Sequence, residues 1–107
     1  MFEISKRDWK LFREKIGDWQ EQYMEKLCGE YMKLLSGEAK ASDKFWELEK
    51  RIKEDRKSPG VIIQLRKQDV LWDVIRLLDD RVITRADLDE FSKDFLDAVD
   101  FILTRRG

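Results

Sequence analysis

Between Trp9 and Leu34 the apolar positions recur every three or four residues: Trp9, Phe12, Ile16, Trp19, Tyr23, Leu27, Tyr31 and Leu34. At about 100° per residue these side chains occupy one side of a helix. Ser5, ahead of the run, is a helix N-cap, and Asp8 three residues later can answer it as in a capping box. Ile4 and Trp9 have the spacing of a hydrophobic staple. A second apolar row, Met24, Cys28, Met32 and Leu35, widens the stripe over the C-terminal half, which is therefore expected to be buried against two neighbours. Ser36-Gly37 closes the run, with the glycine as a left-handed stop. The helix so predicted spans residues 5–36 and reaches ~45 Å at ~1.5 Å per residue. A compact domain of this size has a radius of gyration of only ~13 Å. Part of the stripe is thus expected to project, or to meet another chain.

Three shorter helices follow. Ser42 caps one over 42–57, whose apolar edge is Phe45, Leu48 and Ile52 with Trp46 adjacent. Ser58-Pro59-Gly60 is a turn and also a helix start, with Ser58 as N-cap and Pro59 in the first helical position. From there a helix over 59–80 would be apolar round most of its circumference, placing Val61, Leu65, Trp72 and Ile75 on one side of a central element. A β-strand reading of Val61-Ile62-Ile63 competes with it, although no partner strand is evident, as does a break near Gln68-Asp69. Thr84 with Asp87, and the staple Ile83–Leu88, open a last helix over 84–105 with the stripe Leu88, Phe91, Phe95, Ala98, Val99 and Ile102. Phe101 falls off that stripe. The fold class predicted is all-α, a four-helix bundle-like single domain over 1–107 with a long N-terminal helix.

Composition narrows the chemistry. The 107 residues include no histidine and one cysteine, which removes the commonest general base, nucleophile activator and metal ligand. Cys28, flanked by Met24, Met32 and Leu35 on its helix, is expected as a buried apolar filler. No phosphate-cradling glycine loop occurs. Asp87 and Asp89 have D-x-D spacing, but Phe91 and Ser92 stand where a calcium loop needs an oxygen ligand and a glycine. No catalytic, metal or cofactor residues are expected, and no enzyme. The longest uncharged stretch, Ser58 to Leu65, is eight residues, far short of the ~20 that span a bilayer. The N-terminus is charged within three residues, so a cytoplasmic chain without membrane contact is expected.

ISKRDWKLFREKI, DWQEQYMEKL, ASDKFWELEKRI, SPGV and VITRADLDEFS together resemble a family of short bacterial helical proteins of about this length. The resemblance extends over nearly the whole chain. It implies a bacterial source and no activity, so it supplies no catalytic or binding residue. The label "multidrug transporter" attached to some members does not fit a chain lacking a spanning segment.

Charge is unevenly spread although the net value is −1. Seven basic residues between Lys50 and Lys67 oppose only Glu54 and Asp55, and Lys50, Lys53, Arg56 and Lys57 form a candidate basic contact surface. Between Asp69 and Asp100 ten acids oppose Arg76, Arg81, Arg85 and Lys93, with Asp89, Asp94, Asp97 and Asp100 as a candidate acidic surface. The segment from Asp69 to Thr104 has helix-turn-helix punctuation about Arg81–Thr84, but its second helix is too acidic to enter a groove lined by phosphates. The expectation is a non-catalytic interaction or adaptor protein, a homodimer associating through the aromatic face of Trp9, Phe12, Ile16, Trp19 and Tyr23 and serving an unidentified protein partner. The alternative is a nucleic-acid-associated regulator, or a small acidic inhibitor of a nucleic-acid-binding enzyme.

Overall fold

A computed structural model describes residues 2–106. Among them the chain is helical without strands: α1 (Lys6–Ser36), α2 (Ala41–Asp55), α3 (Val70–Asp79) and α4 (Lys93–Arg106), with 3-10 turns at Lys67–Asp69 and Arg85–Leu88. The Ser5 side chain accepts from the Asp8 N–H at 3.1 Å, as its position ahead of the stripe requires. The Asp8 carboxylate does not turn back to the cap. It is buried and accepts from the N–H and hydroxyl of Ser92, at 3.0 and 2.5 Å. Ser92 in turn accepts from the Phe95 N–H, so Asp8 ties the start of α1 to the start of α4.

Two packing units share α1. Its first half carries Phe12, Ile16 and Trp19 into a core made with Val70, Val74, Leu77, Leu88, Phe95 and Val99. Its second half leaves that core and packs along α2, with the Gly60 turn and Val61 at its base, the two helices forming an arm. The principal extents, 52 × 29 × 21 Å, and the radius of gyration, 16.7 Å, express this elongation. α2 folds back along α1: Arg51 reaches Glu30 at 2.6 Å, the Tyr31 hydroxyl donates to Asp55, and the Arg51 guanidinium lies 5.5 Å from the Tyr31 ring. No side chain of α2 is buried.

The third and fourth helices differ from the sequence expectation. Residues 59–66 are not helical. Ser58 Oγ accepts from the Gly60 N–H at 3.1 Å, Ser58 O accepts from the Val61 and Ile62 N–H groups, the turn is buried, and the chain then runs without regular structure to Arg66. Two causes act together: β-branched Val61-Ile62-Ile63 resists a helix, and Gly60 is pressed against α1. A Cβ there would stand 2.4 Å from the Tyr23 ring and 2.7 Å from Val82. Helix α3 therefore starts only at Val70, and Trp72, expected at the centre, is 58% exposed.

Thr84 and Asp87 do form a capping box, but on a single 3-10 turn. Ser92, held by Asp8, starts α4 afresh and breaks the predicted 84–105 helix. Gly37 ends α1 in an extended conformation rather than a left-handed one. The left-handed residue is Arg81, φ 59°, which closes α3 in a Schellman motif with Arg81 N–H on Leu78 O and Val82 N–H on Leu77 O.

Candidate interaction surface

Of the aromatic face proposed for self-association, Phe12, Ile16 and Trp19 are buried within their own chain, Trp19 at 8% exposure. Trp9 and Tyr23 are half-buried. This corrects the expected interface: the residues that α1 lays over α3 and α4 are core, with the Phe12 and Trp19 rings edge-on at 6.2 Å. The second apolar row is the one left open. Cys28, expected to be buried, is exposed, and Met32 is 70% and Leu35 46% exposed. A row needs a neighbour to bury it, and α2 covers only the adjoining side of α1, where Leu27 is buried and Tyr31 and Leu34 are half-buried.

On α2, Phe45 is 62% exposed and Ile52 is also exposed. Met24 and Cys28 of α1 meet Ile52 and Arg56 around a notch of about 210 Å³, so the two open rows belong to one side of the arm. Exposed Trp46 packs edge-on against Phe45, with centroids 4.9 Å apart.

A second apolar concavity, of about 640 Å³, lies between α3 and α4 and is lined by Phe2, Leu71, Trp72, Ala98, Phe101 and Ile102. Phe101 falls off the core stripe as its spacing indicated, and the Arg105 guanidinium lies 5.1 Å from its ring.

The charged surfaces are partly spent within the chain. Lys53 pairs with Glu49 at 2.8 Å and Lys57 with Glu54 at 3.3 Å, while Lys50 and Arg56 are exposed. Since α2 ends at Asp55, Lys57 lies beyond the helix that was to align it with Lys50 and Lys53. On the acidic side Asp97 pairs with Lys93, and Arg85 makes a forked pair with Asp100 at 2.8 and 3.0 Å. That fork holds the Asp100 carboxyl below its ordinary pKa and raises that of Arg85. Asp94 lies on α4, whereas Asp89 lies in the turn before it.

One acid the sequence did not single out is Asp73 on α3, buried with Oδ2 lacking a hydrogen-bond partner. Burial, with the Asp69 charge adding and Arg76 opposing, pushes its pKa up to about 6. Burial first and the bond to Asp55 second push the Tyr31 hydroxyl up to about 12. Among the described residues no group of three or more His, Cys, Asp or Glu could hold a metal, and no helix is long and apolar enough to cross a membrane. Compared with protein-family models, curated proteins and solved structures, the chain matches none.

Proposed function

We propose that this chain is a non-catalytic, cytoplasmic protein-interaction module that self-associates through the open apolar side of its α1–α2 arm. The carrying observation is that α2 buries no side chain, although Phe45 and Ile52 stand exposed beside Met32 and Leu35 of α1. Exposed apolar residues grouped on one side of an element, rather than scattered, favour a docking role. Magnitudes set the strength. Burying a side chain of this kind is worth about 1.5–3 kcal/mol, so these four supply roughly 6–12 kcal/mol gross. Association costs a comparable ~4–15 kcal/mol, which favours a reversible dimer over an obligate one. The nucleic-acid alternative is weakened because Lys53, Lys57, Asp97 and Asp100 are already neutralised by neighbours.

Sedimentation velocity over a concentration series tests the reading. A monomer–dimer equilibrium in the wild type is expected, with Phe45→Glu remaining monomeric at unchanged helical circular dichroism. A wild type that sediments as a monomer up to hundreds of micromolar overturns it.

A further inference from the structure

A helical hairpin open on one side is half of a four-helix bundle. In the arm the flank away from this side is closed by the Glu30–Arg51 pair, while Tyr31 and Asp55, bonded to each other, line the notch between the helices on the open side. With Cys28 as the origin, 100° per residue puts Met24 at about −40°, Leu35 at about −20° and Met32 at about +40° on α1. Leu27 and Leu34, on the side facing α2, lie at about −100° to −120°. Two acids share the open row, Glu21 at about +20° and Glu25 at about +60°. With Ile52 as the origin on α2, Phe45 falls at about +20°, Arg56 at about +40° and Lys53 at about +100°.

The open face therefore carries two acids along α1, and along α2 it carries Arg56 beside the Lys53–Glu49 pair, Glu49 falling at about +60°. Glu21, Glu25 and Arg56 are all exposed and make no ion pair among the described residues. Lys53 holds only Glu49, its neighbour on α2.

We infer that the occupant of this face is the same face of a second copy. Two arms related by a two-fold axis along their length form an intermolecular four-helix bundle, with α1 of each copy lying antiparallel to α2 of the other. The inference rests on the self-association proposed above and specifies its geometry. Rotation about that axis keeps each residue at its height along the arm, so it brings Glu25 opposite Lys53 and Arg56 twice, once on each side of the bundle, with Glu21 about one turn beyond. It also brings Ile52 onto Cys28 and Met32, and Phe45 onto Leu35. The shared stretch of about twelve residues is ~18 Å long and two helices wide at ~8–10 Å spacing. That footprint, roughly 300–400 Å² per copy, falls below the ~1,200–2,000 Å² total of stable interfaces, in keeping with weak, reversible pairing.

Two charge-reversed variants test the geometry: Glu21→Lys with Glu25→Lys, and Lys53→Glu with Arg56→Glu. All four positions are exposed, and circular dichroism verifies the fold of each variant. Each alone is expected to be monomeric where the wild type dimerises, and an equimolar mixture is expected to sediment as a dimer again. Either variant dimerising alone as the wild type does, or a mixture that stays monomeric, overturns the inference. A second readout needs no substitution. The rate of maleimide addition to Cys28 is expected to fall at least ten-fold as the wild type dimerises. A wild-type dimer with an unchanged Cys28 rate overturns this geometry and leaves self-association standing, whereas a wild type with no dimer at all overturns both.

Discussion

Asp73 carries an unsolvated carboxylate on a helix whose neighbours are Val70, Val74 and Leu77, all fully buried. Its pKa is raised from 3.8 to about 6, so folding takes up a proton in the intervening pH range. The stability linked to that proton is complete below about pH 4 and is lost as the pH rises through about 6. At pH 7 the fold holds a charge that it would bind more favourably as the neutral acid. Asp73→Asn, which keeps the shape and removes the charge, is expected to stabilise the protein by about 1–2 kcal/mol at pH 7. The difference is expected to vanish below about pH 4, as read by urea unfolding at several pH values. A lower stability of the variant at pH 7 would contradict this reading. Nothing in the sequence marked Asp73, because its burial depends on distant elements. Caps, by contrast, act over three residues, and Ser5 with Asp8 N–H and Thr84 with Asp87 stand where the sequence put them, although Ser42 does not: α2 starts at Ala41 after Lys40, with no side-chain cap. Arg81 is the reverse case: no side-chain preference announces its left-handed φ, which the termination of α3 imposes.

At the scale of elements, the segment between α2 and α3 decides the architecture. The Ser58-Pro59-Gly60 turn is wedged where arm and core meet, with Gln20 Nε2 donating to Pro59 O at 3.0 Å. Gly60→Ala forces its methyl into the Tyr23 ring and is expected to cost about 1–3 kcal/mol, measured by the urea midpoint. An unchanged midpoint would show that the ring yields freely. The same turn explains why Trp72 was misplaced. Helical arithmetic through Val61 and Leu65 sets Trp72 on their side, but since residues 62–66 are not helical that side no longer exists. Trp72 instead lines the shallow groove with Phe2 and Phe101. The competing β-reading of Val61–Ile63 fails too, since that segment forms no strand and begins in a turn on Ser58 O, whereas the break near Gln68-Asp69 marks where α3 starts.

For the whole molecule, periodicity identified the stripe of α1 correctly but not what covers it. Which half projects is set by contacts with residues 70–99, and these place Trp19 inside and Met32 outside. Trp19→Glu should therefore not yield a folded monomer. It places a charge in the core and is expected to cost at least about 4–5 kcal/mol, out of the ~5–15 kcal/mol available to a typical domain. Loss of the cooperative thermal transition would register that cost, and a folded, monomeric variant would restore the original interface. The candidate site was legible only as a second, weaker row of methionines and leucines. The sequence led to two neighbours being expected for it, and α2, the helix that lies along it, carries an uncovered row of its own.

Asp8 closes on Ser92, 84 positions away along the chain, and Phe12, Ile16 and Trp19 await partners that begin at Val70. α1 is thus synthesised well before the residues that shield it. Until Val70 to Val99 have been made, it displays indole and phenyl rings to whatever is nearby. The arm needs only residues up to Asp55, so during synthesis the outlying hairpin can assemble before the core that anchors it.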